Sequence, residues 1–191
     1  MLEAVNLSKA FDGKNVISQF SARFEDGVHY ALMGPSGCGK TTLLNLLMGL
    51  VRPDDGEVRM PHGTKLSAVF QEDRLLKQMT AAANVALVSK APQAEIEALL
   101  LELGIGPESL PQPVSTYSGG MKRRVALCRA LLAEFDVLFL DEPYKGLDEE
   151  TRAKVMGIVE RFTRGKTVLL VTHDHEEAEG YEPVVLKKET A

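Results

Sequence analysis

The chain has 191 residues, enough for one domain carrying a subdomain at roughly 150 residues per domain. Hydrophobic residues are 45% and charged residues 26%, the balance of a globular protein, which excludes disordered and fibrous classes. The net charge is −5, from 22 Lys plus Arg against 27 Asp plus Glu, so a broad basic surface for nucleic acid is excluded as well.

No apolar run approaches the roughly 18 residues needed to span a bilayer. The start, Met1-Leu2-Glu3-Ala4, lacks the basic-then-apolar pattern of a secretory leader. Two cysteines, Cys38 and Cys128, make no disulfide framework, and a reducing cytosol is the expected compartment.

Tyr30-Ala31-Leu32-Met33 reads as a short strand that ends in a glycine-rich turn. Thr41–Leu50 then predicts a helix, with Leu43, Leu44, Leu47 and Leu50 on its buried face. Residues 56–60 and 66–70 predict two short strands. A mostly helical insert follows. Its clearest helix starts after Pro92 and stops at Gly104, with Ile96, Leu99, Leu100 and Leu103 on one stripe. Another helix is predicted from Ser118-Gly119-Gly120 to about Phe135.

Val137-Leu138-Phe139-Leu140 is apolar on both faces, as a strand buried in a parallel sheet is. Asp148 caps a helix with Val155, Ile158, Val159 and Phe162 inward and Gly165 at its end. Thr167–Val171 is a second doubly buried strand. Buried strands alternating with amphipathic helices argue for an α/β fold with a mainly parallel core sheet, in which ligands bind at the carboxyl ends of strands.

Gly34-Pro35-Ser36-Gly37-Cys38-Gly39-Lys40-Thr41 matches G-x-x-x-x-G-K-[ST] between a strand and a helix. Such glycines let successive N–H groups converge on one phosphate, and the helix terminus adds partial positive charge. Lys40 is expected to reach the β- and γ-phosphates of a nucleotide. The Thr41 hydroxyl would ligate Mg²⁺, and Thr42 would hold the α-phosphate. Cys38 is read as a small residue that fits this turn.

Asp141 and Glu142 end the strand that begins at Val137. Alone they could be an acidic turn. Beside a phosphate cradle, Asp141 is expected to hold Mg²⁺. In an extended chain Glu142 would point the other way and polarise a water.

These motifs, taken with others in the same order, resemble the ATP-binding subunit of an ABC (ATP-binding cassette) transporter. The others are Gln71 after Val69-Phe70, Tyr117-Ser118-Gly119-Gly120-Met121, Asp141-Glu142-Pro143, Gly146-Leu147-Asp148 and His173. The resemblance implies a P-loop NTPase core with an antiparallel β subdomain and a helical subdomain at roughly 74–135. All of it forms one domain over 1–191.

It also implies roles. Gln71 would complete the Mg²⁺ and water shell and sense a membrane partner. His173 would contact the γ-phosphate, and Asp148 would lie in a dimer-contact loop while still capping its helix. Phe11 would stack on adenine beside Val16, although a core role suits Phe11 equally. Ser118, Gly119 and Gly120 would cap the ATP held by a second copy, so that a homodimer, or a pair with a closely related cassette, shares two sites.

Further implied partners are an integral membrane permease, with this chain bound peripherally at the cytoplasmic face of the membrane, and, indirectly, an extracytoplasmic solute-binding protein. Nucleic acid is not a partner. Met121 and Gln71-Glu72-Asp73-Arg74-Leu75-Leu76 resemble ATPases of nitrate, sulfonate and taurine-type importers. Tyr117, Tyr144 and Lys145 depart from the usual family pattern. Only 18 residues follow His173, so no regulatory domain is expected after it. A soluble ATPase of the same type, working without a membrane partner, is the alternative.

Overall fold

The computed structural model describes residues 1–187. In chain order its elements begin with β1 (Leu2–Phe11), β2 (Lys14–Phe24), β3 (His29–Met33), α1 (Lys40–Leu47), β4 (Asp55–Arg59), β5 (Leu66–Val69) and α2 (Ala81–Ala86). They continue with α3 (Gln93–Glu102), α4 (Gly119–Leu132), β6 (Val137–Asp141), α5 (Glu149–Thr163), β7 (Thr167–Val171) and β8 (Glu182–Val185). Two compact units result. One gathers Met1–Leu66, Asp136–Asp141 and the chain from Gly165 onward; the other gathers Ser67–Phe135 and Glu142–Arg164.

The first unit holds an antiparallel sheet ordered β2-β1-β4. Asp12 and Gly13 turn the β1–β2 hairpin with φ of 49° and 75°, the left-handed pair that tight hairpins favour. In β1, Leu2 and Ala4 face inward, and then Leu7 does. That odd step needs a bulge, and Asn6 supplies it at φ 50°. The amides at the irregular positions are satisfied: Asn6 N–H donates to Ser21 Oγ at 2.9 Å, and Gln19 N–H to Ser8 Oγ at 3.0 Å.

The same unit holds parallel strands in the order β6-β7-β3-β8. Every residue of β6 and β7 is buried, as their unbroken apolar runs require. Val171 pairs with Leu32 on one side and Asp141 on the other. The carboxyl ends of β3, β6 and β7 are therefore level, which puts Gly34, Asp141 and the Thr172-His173 step at one edge.

Helix α1 buries Leu43, Leu44, Leu46 and Leu47 and stops at Leu47, short of the predicted end. Gly49 takes φ 71°, and Leu50 N–H turns back to the Asn45 carbonyl. Leu50 thus leaves the buried stripe and is 56% exposed.

In the second unit, α3 and α4 begin and end within three residues of the predicted bounds. Ile96, Leu99, Leu100 and Leu103 are buried as expected. Arg124 of α4 donates to the Leu103 and Gly104 carbonyls at 2.9 and 2.7 Å, satisfying the carboxyl end of α3. In α5 the stripe Val155, Ile158 and Val159 continues at Thr163 rather than Phe162. Both positions lie one turn beyond the stripe. Thr163 takes the inner one because its hydroxyl donates to the Val159 carbonyl at 2.9 Å.

Candidate nucleotide site

The cradle runs from the end of β3 to the start of α1. Two of its glycines, Gly34 and Gly39, are fixed by close neighbours. A Cβ on Gly34 would lie 2.5 Å from the Leu186 carbonyl oxygen and 2.8 Å from Cys38 Sγ. One on Gly39 would lie 2.9 Å from Val16 Cγ1 and from Ile17 Cδ1. Val16 therefore stands against the cradle. No side chain caps the start of α1, whose N-cap is Gly39. Its first N–H groups are left to an anion, the arrangement that binds phosphate at helix termini.

Lys40 is buried, and its Nζ donates to the Gly34 and Pro35 carbonyls at 2.8 and 3.0 Å. The ammonium is thus folded back over the loop it follows. Cys38 Sγ lies 3.9 Å from it, and the thiol is itself buried.

Thr41 Oγ1 donates to Asp141 Oδ2 over 2.8 Å. Asp141 is 5% exposed at the end of β6. A hydroxyl and a buried carboxylate supply hard oxygens, the ligand chemistry of Mg²⁺. Among the described residues no group of three His, Cys, Asp or Glu could hold a metal. An ion here would complete its shell with phosphate and water oxygens, as Mg²⁺ does in phosphoryl-transfer sites.

His173 is exposed just past β7. The Thr172 hydroxyl before it donates to the buried Glu177 carboxylate and accepts from Asp174 N–H at 3.0 Å, which fixes the turn. Phe11 is 46% exposed at the end of β1, with Lys9 Nζ 5.4 Å from its ring centre. That exposure rules out the core role left open by the sequence.

In the second unit, Ser118 Oγ accepts from Met121 N–H at 3.2 Å and caps α4. A Cβ on Gly120 would lie 3.4 Å from the Gly146 carbonyl oxygen and from Leu147 Cδ2, so the loop before Asp148 packs on this helix end. Asp148 Oδ1 accepts from Thr151 N–H at 2.9 Å. That backbone bond, helped by the Thr151 hydroxyl and Arg124, holds its carboxyl below the usual aspartate range. Tyr117 is buried, and its hydroxyl donates to the Ser109 carbonyl at 2.7 Å, which accounts for an aromatic there. Burial pushes its phenol up.

Glu142 does not continue the extended chain. Its φ is 48°, so the alternation argument for its direction does not apply. β6 ends at Asp141, and the backbone turns at once into Pro143-Tyr144-Lys145. A left-handed non-glycine costs on the order of 1–3 kcal/mol, and such strain clusters at functional sites. Glu142 Oε2 lies 2.7 Å from Lys145 Nζ.

Gln71 is exposed, but its backbone is held. Arg123 donates to the Phe70 and Gln71 carbonyls, and Arg129 to those of Asp73 and Arg74. Neither arginine was singled out from the sequence, because their acceptors are main-chain oxygens some 50 residues away. Leu186, which meets Gly34 through its main-chain carbonyl, escaped notice for the same reason. The one available signal was the basic cluster Lys122-Arg123-Arg124 on an otherwise buried helix.

A family model described as ABC transporter matches residues 17–145. An aliphatic sulfonates import ATP-binding protein of Rhodococcus jostii is 39% identical over 93% of this chain and 74% of its own length. A spermidine/putrescine import ATP-binding protein of Marinobacter nauticus is 37% identical, and the chain spans about half of it (52%). Among solved structures, a dimeric ATP-binding cassette in a post-hydrolysis state with ADP and Pi matches with a TM-score of 0.88 at 25% identity, over 100% of this chain and 97% of that one.

Proposed function

Because this chain belongs to the ABC transporter ATP-binding family, we propose that it is the ATP-hydrolysing subunit of an importer. The observation that carries the reading is the Thr41–Asp141 hydrogen bond at the end of a glycine cradle. It joins a phosphate-binding loop to a strand-end carboxylate, the pairing that phosphoryl transfer requires.

The cradle Gly34–Thr42, through its N–H groups other than at Pro35, which has none, and the Lys40 ammonium bind the triphosphate of ATP. Thr41, Asp141 and Gln71 would hold Mg²⁺, which neutralises charge on the phosphates. Glu142 accepts a proton from the attacking water, and His173 donates to the γ-phosphate. Catalysis comes from positioning and electrostatics, with little covalent chemistry. Phe11 and Val16 receive the adenine.

A second copy of the chain closes the site. The capped, glycine-lined start of α4 at Ser118-Gly119-Gly120 supplies a second anion-binding end, and Asp148 lies in the loop packed against it. Two such chains grip two ATP molecules head to tail, and loss of the γ-phosphate opens the pair. Residues 1–191 act as one cassette.

Among the described residues no helix is long and apolar enough to cross a membrane; the partner that carries the solute is an integral membrane permease. The cassette works at the cytoplasmic face of that permease, with a solute-binding protein outside. The relatives' solutes differ, a sulfonate in one and a polyamine in another. Met121 and the Gln71–Leu76 stretch favour the sulfonate-type anion.

Glu142→Gln tests the reading. With ATP and Mg²⁺ the variant should elute from a sizing column as a stable dimer without turnover. A monomer with parental ATPase activity would overturn both the base and the closure.

A further inference from the structure

The segment Phe70–Arg74 lies outside every helix and strand, yet its backbone is held at four carbonyls. Arg123, 6% exposed, takes those of Phe70 and Gln71 and sets its Nε 3.4 Å from Asp73 Oδ1. Arg129 takes those of Asp73 and Arg74 at 3.0 and 2.7 Å. The loop is further shaped by Arg74, whose φ is 47° and whose guanidinium stacks 3.8 Å above the Phe70 ring. Burying a guanidinium is costly unless its donors are paired, so these bonds define one loop position. A lysine carries its three donors on one nitrogen, whereas Arg123 reaches the Phe70 carbonyl, the Gln71 carbonyl and Asp73 from three separate nitrogens in a rigid plane, so lysine could not reproduce that three-way grip.

Both arginines project from α4, the helix capped by Ser118. Arg123 follows Ser118 by five residues, roughly 7.5 Å of helix rise. We propose that Arg123, seconded by Arg129, is a positioning residue that ties Gln71 to the Ser118 end of α4, so that the two move as one rigid piece. Any shift of that helix end is then delivered to Gln71 through the guanidinium and not through a flexible loop. The assignment rests on the reading of Gln71 and Ser118 as parts of the ATP site.

The test is steady-state ATP turnover and ATP binding of the full chain with Gln71→Ala, Arg123→Lys and the two combined. Charge-assisted bonds of this kind are strong enough for a loss of about tenfold when one fork is removed. Arg123→Lys should lower kcat about tenfold while ATP affinity and KM stay within about twofold of the parent. A residue acting through Gln71 should add nothing once Gln71 is gone, so the combined variant should turn over within about twofold of Gln71→Ala. Parental kcat in Arg123→Lys, or full multiplication of the two losses, overturns the proposal. Parental kcat in Gln71→Ala overturns instead the reading of Gln71 on which the proposal depends.

Should Arg123→Lys fail to fold, Arg129→Lys serves in its place and is judged by the same outcomes. Trypsin gives a backbone readout, since Arg74 lies inside the clamp. Cleavage after Arg74 should quicken in either lysine variant while the melting temperature holds; unchanged cleavage in a folded variant counts against the clamp.

Discussion

The Thr41 hydroxyl donates to the Asp141 carboxylate over 2.8 Å, although 100 residues separate them in sequence. The contact exists because Asp141 ends β6 level with the end of β3, from which the cradle leads into α1. Asp141→Asn keeps an oxygen at that point but removes its charge. It should weaken the Mg²⁺ dependence of ATP turnover and lower kcat on the order of 100-fold, with nucleotide affinity in the absence of Mg²⁺ little changed. Titration of turnover with MgCl₂ reads the effect. A parental Mg²⁺ response would remove Asp141 from the ion.

Gly34 and Gly37 should differ on substitution by alanine. At Gly37 the new methyl meets nothing within 4 Å, so only the positive φ of 75° is penalised, about 1–2 kcal/mol. At Gly34 it would approach the Leu186 carbonyl oxygen to 2.5 Å, a backbone neighbour that cannot swing aside. Overpacking adds about 1–3 kcal/mol there. Denaturant melts should rank Gly34→Ala below Gly37→Ala, and the reverse order would contradict the packing described.

Ser118 caps α4, and in the proposed dimer it would also face the partner's nucleotide. As the α4 cap its oxygen binds Met121 N–H, a bond worth about 1 kcal/mol against alanine but only a few tenths against glycine. Ser118→Gly should therefore stay folded. Ser118→Arg should bind ATP normally and stop hydrolysis, because bulk and charge at this helix end would block the partner's nucleotide. Unimpaired turnover in Ser118→Arg would refute a site shared between two chains.

Glu102 and Arg161 form a two-pronged ion pair at 2.8 and 2.7 Å between α3 and α5. The guanidinium holds the Glu102 carboxyl below its ordinary value of 4.5. A lowered folded-state value means that the stabilisation is complete above pH 4.5 and is lost as pH falls through the lowered value. The side chains are 38% and 51% exposed, so solvent screening keeps the pair weak. Glu102→Gln should lower stability slightly at pH 7, and the gap between variant and parent should close below pH 4.5. A gap that widened on acidification would reverse the sign argued here.

Sequence alone determined the phosphate cradle, the doubly buried strands, the helix start at Ser118 and the cap at Asp148. Each is a short contiguous pattern whose physics is local: glycines curl a loop, a polar side chain caps the amides just after it, and an apolar run demands burial on both faces. The tertiary structure alone decided what meets what. It put Leu186 against Gly34, joined Thr41 to Asp141, turned Leu50 outward and Thr163 inward, and bent the chain at Glu142. It also gave Arg123 and Arg129 their carbonyl partners. The arginine contacts depend on main-chain oxygens, which every residue carries alike, so no side-chain pattern announces which of them a distant arginine will find; the Thr41–Asp141 contact depends on strand register, which is set only when the sheet forms.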